Sequence, residues 1–131
     1  MNKLILLIEA DSLLRSKCFE LLERENFNII SAEDGLLGLT LAKEFQPDLI
    51  ICDINTPHLD GYGSLKDLRA NLATAKIPCI FLKSETDPDS YYYARQLGAN
   101  DYLTKPIQSD KLLEAIYRQF QKTQNREVDF V

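Results

Sequence analysis

The segment that decides the fold is DLIICDINTP at residues 48–57, in which an acid follows directly after a short apolar run. Apolar runs of this length are typical of strands that are buried on both faces, as in a parallel sheet covered by helices. We therefore predict a buried strand over residues 48–52. Asp53 is expected to leave the sheet at a fixed position, at the start of the loop 54–57.

Short apolar runs on either side of this segment alternate with stretches of helical period. Strands are predicted over residues 3–8, 27–31, 48–52, 79–82 and 101–103. The predicted helices have apolar residues at helical spacing: Leu14, Cys18, Leu21 and Leu22 in the first, Leu39 and Ala42 in the second (34–45), Leu65, Leu68 and Leu72 in the third after Gly61, Ala94 and Leu97 in the fourth, and Leu112, Leu113, Ile116 and Phe120 in the fifth. Ser109 is expected to cap the fifth helix, Gly98 to end the fourth, and Gly38 to let the second approach the sheet. The alternation predicts a parallel sheet wrapped by helices.

Length and composition indicate a single globular domain. The chain has 131 residues, of which 45% are hydrophobic and 27% are charged, and five strand–helix units fill nearly all of it. We assign residues 1–124 to the domain, and residues 125–131 to a tail or the start of a linker. No apolar run approaches the roughly 18 residues that span a bilayer, so we expect a cytoplasmic protein that does not bind membranes.

Net charge and the counts of cysteine and histidine exclude several functions. A net charge of −5 argues against binding of nucleic acid through its phosphate backbone. Cys18, Cys52 and Cys79 form no C-x-x-C pair, and we predict reduced thiols packed as small apolar side chains. His58 is the sole histidine, which excludes most zinc sites.

Polar residues collect where the predicted strands end: Glu9 and Asp11 after the first, Asp53 after the third, Lys83 and Ser84 after the fourth, and Lys105 after the fifth. Because function in an open parallel sheet collects at the carboxyl ends of the strands, we expect these side chains to converge. Carboxylates on a rigid frame suit Mg²⁺, and a lysine suits a phosphate as a point charge. An aspartate beside a metal and a lysine can attack a phosphoryl donor, which would form an aspartyl phosphate on Asp53.

The chain resembles the receiver domains of two-component response regulators, of the chemotaxis-receiver type, from about residue 3 to residue 121. The likeness rests on the acids after the first strand, the segment 53–57 running on to Asp60-Gly61, the turn 98–102 (GANDY) and the pair Lys105-Pro106. It implies an α/β, flavodoxin-like, doubly wound sheet of five parallel strands in the order 2-1-3-4-5, with five helices.

The resemblance also implies a role for each site residue. Asp53 would be the phosphoacceptor and Lys105 the phosphate contact. Mg²⁺ would be held by Glu9, Asp53 and the backbone carbonyl of Asn55, while Asp11 is either a further ligand or only a helix cap. The switch that carries phosphorylation to the outer face would consist of Lys83, Ser84 and Tyr102.

Two residues depart from the family's pattern. Ala10 stands where the second acid of a pair normally binds the metal, so Mg²⁺ binding should be weakened. Lys83 stands where the family has a Thr or Ser whose hydroxyl contacts the phosphoryl group. Its ammonium either pairs with Asp53 and replaces the charge of the metal, or turns to solvent and leaves Ser84 or a water to meet the phosphoryl group.

These features favour a receiver that accepts a phosphoryl group on Asp53 from a histidine kinase or a phosphotransfer protein. Phosphorylation would switch the face formed by the fourth helix, the fifth strand and the fifth helix, where a second copy or a downstream protein would bind. The run Tyr91-Tyr92-Tyr93, which must expose at least one ring, marks with Tyr117 either this partner surface or ordinary packing.

Two other hypotheses remain open. In one, the chain is a phosphorylation-independent, receiver-like interaction module in which Lys83 pairs with Asp53. In the other it is a Mg²⁺-dependent phosphohydrolase, which ranks last because the sequence has neither a second acid placed as a general acid nor an insertion to cover a substrate. We expect a signalling phosphoacceptor that catalyses at most its own phosphorylation and dephosphorylation, rather than a turnover enzyme.

Overall fold

The computed structural model describes residues 2–84 and 88–129, which form five strands and five helices in strict alternation. The strands are β1 (Leu4–Ile8), β2 (Asn28–Ala32), β3 (Leu49–Asp53), β4 (Cys79–Lys83) and β5 (Asp101–Thr104). The helices are α1 (Ser12–Arg24), α2 (Gly35–Phe45), α3 (Gly61–Ala70), α4 (Pro88–Leu97) and α5 (Ser109–Asp129). Each predicted strand is confirmed, with its ends within one residue of the predicted ones.

The five strands form one parallel sheet in the order β2-β1-β3-β4-β5, which confirms the predicted topology. From β1 the chain first adds β2 on one side and then adds β3, β4 and β5 on the other side. The direction in which strands are added therefore reverses between β1 and β3. This arrangement is the doubly wound, flavodoxin-like α/β fold, in which ligand sites lie beyond the carboxyl ends of the strands near the reversal. Strands β1 and β3 end in Ile8 and Asp53.

The sheet separates two apolar cores, because successive side chains of a strand point to opposite faces. One core joins the sheet to α2, α3 and α4, and the other joins it to α1 and α5. All five residues of β3 are buried, which confirms a strand covered on both faces. Cys18, Cys52 and Cys79 are buried within these cores as free thiols, as predicted.

Two glycines have the roles that the sequence indicates. A Cβ on Gly38 would lie 2.7 Å from Cγ1 of Ile8 in β1, so only a residue without a side chain lets α2 approach the sheet this closely. Gly98 follows α4 with a φ of +102°, the left-handed conformation in which helices commonly end at glycine.

Two predictions about helix ends are wrong. The third helix stops at Ala70, and Leu72, predicted on its apolar face, is 98% exposed. The Asn71 side chain accepts a hydrogen bond from the Ala73 N–H at 2.9 Å, and Thr74 Oγ1 donates to the Leu68 carbonyl at 2.7 Å. Such local side-chain bonds compete with another helical turn. Ser109 was predicted to cap α5, which would place it just before the helix, but it is the first residue of α5.

The fifth helix continues through Asp129, beyond residue 124, where we placed the end of the domain. Residues 130 and 131 lie outside the described residues, and the division into a domain and a tail or linker stays a prediction. Within the described ranges, no helix has both the length and the apolar character that crossing a bilayer requires.

Candidate functional site

Three charged side chains from three strand ends meet at the carboxyl edge of the sheet. Asp53 is the last residue of β3, Glu9 follows β1, and Lys105 follows β5. The Lys105 ammonium lies 3.0 Å from Asp53 Oδ2 and 3.1 Å from Glu9 Oε1. We call these three residues the acid–lysine cluster. It brings together the residues predicted as phosphoacceptor, metal ligand and phosphate contact, whose roles stay predictions.

Backbone contacts hold Asp53 in place. The Asn55 N–H donates to Asp53 Oδ1 at 3.1 Å, and the Ile54 N–H donates to the Leu82 carbonyl at 3.0 Å. The Gly61 N–H donates to the Ile54 carbonyl at 2.7 Å, and a Cβ on Gly61 would lie 2.7 Å from the Ile54 Cα. The glycine therefore lets α3 begin directly beside the acidic end of β3.

Glu9 is fully buried, and its side chain is held from two directions. Its Oε2 accepts a hydrogen bond from the Asp11 N–H at 3.2 Å, while its Oε1 faces Lys105. Its backbone carbonyl accepts a hydrogen bond at 2.8 Å from the guanidinium of Arg15, in α1. Arg15 is a residue of the site that was not predicted, and its sequence signal is a basic residue one turn into the helix after the acid.

Burial and charge shift the pKa values of two members of the cluster. Burial raises the pKa of Glu9 to about 7, and the neighbouring Asp53 carboxylate acts in the same direction. Burial lowers the pKa of Lys105, but the two carboxylates outweigh it, so the net pKa of Lys105 is raised. The lysine therefore stays charged, while Glu9 changes its charge near neutral pH.

Asp11 acts as the cap of α1. Its Oδ1 accepts hydrogen bonds from the N–H groups of Leu13 at 2.9 Å and Leu14 at 3.1 Å. These bonds lower the pKa of Asp11. The geometry matches the helix-cap alternative, and the described residues contain no cluster of three or more Asp, Glu, His or Cys side chains that could hold a metal.

Lys83 is turned toward α4. Its ammonium donates to Ser90 Oγ at 2.8 Å. Among the ion pairs of the described residues, the Asp53 carboxylate pairs with Lys105 and not with Lys83. This orientation is neither of the two considered for Lys83, which were pairing with Asp53 and turning to solvent. No sequence pattern singles out Ser90 as its partner. Ser84 is exposed just after β4.

Aromatic side chains line the side of the sheet that carries α4. The Tyr102 ring, half-buried on β5, meets the Tyr91 ring edge-on with centroids 5.9 Å apart. The Tyr93 ring packs on Tyr62 at 4.9 Å. All three rings of Tyr91, Tyr92 and Tyr93 are exposed, which confirms the expectation of at least one exposed ring there.

The fold and the site together define a class of protein: a flavodoxin-like α/β domain with acidic side chains and a lysine at the carboxyl edge of a five-stranded parallel sheet. Residues 5–117 match the response regulator receiver domain. With 30% identity to a curated member over 112 residues as well, the chain belongs to the receiver domain family of response regulators.

The relatives differ in length, so the chain matches different shares of them. The chain is 30% identical to protein PilH of Pseudomonas aeruginosa, over 86% of this chain and 93% of that protein. It is 34% identical to the cell cycle response regulator CtrA of Brucella ovis over 86% of this chain, and the match spans only 48% of CtrA.

A solved structure is similar in fold. The receiver domain of the sensor histidine kinase PA1611 from Pseudomonas aeruginosa, described with a magnesium ion coordinated in its active site cleft, superposes with a TM-score of 0.84. The match has 26% identity and covers 91% of this chain and 98% of that one.

Proposed function

We propose that Asp53 accepts a phosphoryl group from a phosphohistidine of a histidine kinase or a phosphotransfer protein. The observation that best supports this proposal is the position of Asp53, which is 5% exposed at the end of β3 with Oδ2 3.0 Å from the Lys105 ammonium. A carboxylate fixed by the sheet is oriented for attack, and the cation offsets its repulsion of an incoming phosphoryl group.

The transfer exchanges one bond to phosphorus for another. A carboxylate oxygen of Asp53 bonds to phosphorus while the P–N bond of the donor breaks. The bonding electron pair leaves with the imidazole, which departs neutral when its other ring nitrogen carries a proton. Lys105, already paired with Asp53 at 3.0 Å, is placed to contact an oxygen of the bound phosphoryl group.

The two carboxylates of the acid–lysine cluster fit a Mg²⁺ ion. Glu9 Oε1 is buried, has no hydrogen-bond partner of good geometry among the described residues, and lies 3.1 Å from the Lys105 ammonium. Mg²⁺ takes one or two carboxylates and keeps several waters. The ligands would be Glu9, Asp53 and the backbone carbonyl of Asn55, and the bound ion would neutralise charge on the phosphoryl group. Ala10 offers no ligand, so we expect weaker binding than with an acid there.

We further propose that the signal leaves through the face formed by α4, β5 and α5, toward a second copy of the chain or a downstream protein. Exposed rings of Tyr91, Tyr92 and Tyr93 on α4 and of Tyr117 on α5 support this assignment, because aromatic residues are enriched at interfaces. Arg118 of α5 reaches Asp101 of β5 at 3.2 Å, which joins the last two elements of the face.

Phosphorylation can be tested on the full chain by incubation with Mg²⁺ and phosphoramidate or acetyl phosphate, followed by intact-mass measurement. We expect the parent to gain one phosphoryl group and Asp53→Asn to gain none. Asp67→Asn, which changes an exposed aspartate of α3, is the matched control and should behave like the parent. An unmodified parent at every Mg²⁺ concentration would contradict the proposal and leave the phosphorylation-independent interaction module as the better hypothesis.

A further inference from the structure

Arg15, at the end of the first turn of α1, holds the loop 9–11 between β1 and α1. Its Nη1 donates to the Glu9 carbonyl at 2.8 Å and to the Ala10 carbonyl at 3.4 Å. Its own backbone N–H donates to the Asp11 carbonyl at 2.9 Å, as a helical bond of α1. One residue of the helix therefore contacts the backbone of all three residues of the loop.

Glu9 depends on this support because it lies just beyond the end of β1, which is Ile8. On one side, its N–H still donates to the Ala32 carbonyl of β2 at 3.0 Å. On the other side, its carbonyl is held by the Arg15 guanidinium. With both of its peptide groups held, the direction in which the Glu9 side chain leaves the backbone is fixed, and its carboxylate reaches Lys105 at 3.1 Å.

The orientation of this side chain is important because the loop 9–11 directs no second carboxylate to the acid–lysine cluster. Ala10 has no ligand atom in its side chain, and the Asp11 carboxylate is used as the cap of α1. Glu9 is fully buried and is therefore the acid of this loop that would bind Mg²⁺ together with Asp53.

We propose that Arg15 is a positioning residue for Mg²⁺ binding, which orients the Glu9 carboxylate by holding the loop 9–11. The inference deepens the proposed function and rests on it, because the metal would serve the phosphorylation of Asp53. Charge alone predicts the opposite effect, since a guanidinium near the site repels a cation. Removal of Arg15 should strengthen Mg²⁺ binding if the residue acts by charge, and weaken it if the residue orients a metal ligand.

The test measures the Mg²⁺ affinity of the full chain by calorimetric titration, for the parent and for Arg15→Met. Methionine keeps an apolar stem and removes both hydrogen bonds to the loop. We expect the affinity to fall on the order of tenfold, as is typical when a residue that orients a metal ligand is lost. Lys17→Met is the matched control, because it removes an exposed cation from the same helix. It should bind Mg²⁺ as tightly as the parent or slightly more tightly.

Phosphorylation gives a second readout of the same effect. With phosphoramidate as the donor and intact mass as the measurement, Arg15→Met should need about tenfold more Mg²⁺ for half of its maximal rate. At saturating Mg²⁺ it should reach the rate of the parent. A role in stability alone would change neither quantity while the variant is folded, which circular dichroism verifies. Arg15→Lys keeps the charge but offers a point donor in place of the planar fork, so its affinity should lie between those of the parent and Arg15→Met.

The outcomes separate this inference from the proposed function. A Mg²⁺ affinity of Arg15→Met equal to or above that of the parent overturns the inference, and so does an equal loss of affinity in Lys17→Met. If Arg15→Met does not fold, Arg15→Lys decides by the same criterion. A parent that binds Mg²⁺ but gains no phosphoryl group contradicts the proposed function, while the effect of Arg15 on the affinity still stands. A parent that binds no Mg²⁺ overturns the inference.

Discussion

Replacing Glu9 by glutamine should make the metal-free protein more stable at pH 8 and remove part of the pH dependence of its stability. The pKa of Glu9 is about 7 in the folded protein against 4.5 without the fold, so the folded state binds more protons than the unfolded state between these values. The free energy of unfolding of the parent therefore falls as the pH rises from about 4.5 to about 7. At about 1.4 kcal/mol per pKa unit, the loss is up to about 3 kcal/mol.

Glutamine has the shape of protonated glutamic acid and does not titrate. The stability of the variant relative to the parent should therefore rise by about 2–3 kcal/mol between pH 5 and pH 8. Replacing the carboxyl by an amide also changes the free energy of unfolding by an amount that does not depend on pH. This amount is the same at pH 5 and pH 8, so it does not affect the change between them.

Urea unfolding followed by circular dichroism at pH 5, 6, 7 and 8, with EDTA present, measures this difference. Glu20→Gln, at an exposed position of α1, is the control and should follow the parent at every pH. A stability difference between the two proteins that does not grow as the pH rises from 5 to 8 would refute the assignment of a raised pKa to Glu9. Such a result would mean that Lys105 compensates the buried carboxylate fully.

Three further predictions concern the cap at Asp11, the pair Ala10 and Lys83, and the helix glycine Gly38. Asp11→Ala should lower the free energy of unfolding by about 1 kcal/mol through loss of the α1 cap. It should leave the Mg²⁺ affinity unchanged in a calorimetric titration. A clear loss of Mg²⁺ affinity would show that Asp11 is a metal ligand. Ala10→Asp combined with Lys83→Thr should raise Mg²⁺ affinity on the order of tenfold by restoring a carboxylate, and equal affinities in fluorescence titrations would show that neither residue limits binding. Gly38→Ala should destabilise the fold by about 1–3 kcal/mol in thermal unfolding because its Cβ meets the buried Ile8 side chain of β1. Gly63→Ala should cost less, because its nearest neighbour at 2.7 Å is a terminal methyl of Leu59. Similar losses for the two variants would argue against the close approach of α2 to β1.

The central strands β1, β3 and β4 were predictable because they are buried on both faces. Such strands appear in the sequence as continuous apolar runs, and the segment 48–52 needs no distant partner to be recognised. The convergence of Glu9, Asp53 and Lys105 follows from the same topology, since parallel strands bring their carboxyl ends to one edge.

Contacts made by single side chains were not predictable in the same way. Apolar spacing extends the third helix to Leu72, but hydrogen bonds of Asn71 and Thr74 end it at Ala70. Likewise, the contact of Lys83 with Ser90 depends on where α4 begins, which the sequence pattern does not specify to the residue. The sequence specifies which residues reach the site, while three-dimensional packing decides which hydrogen bonds they form.

The burial of all three cysteines makes the native chain a convenient host for site-specific labelling. Burial raises the pKa of Cys18 to about 11 and that of Cys79 to about 12, and it raises the pKa of Cys52 well above the usual thiol value. Maleimides and similar reagents attack the thiolate, so these side chains should stay unmodified at neutral pH while the protein is folded. A cysteine introduced at Tyr92, on the exposed side of α4, can then carry a spectroscopic probe without removal of any native thiol.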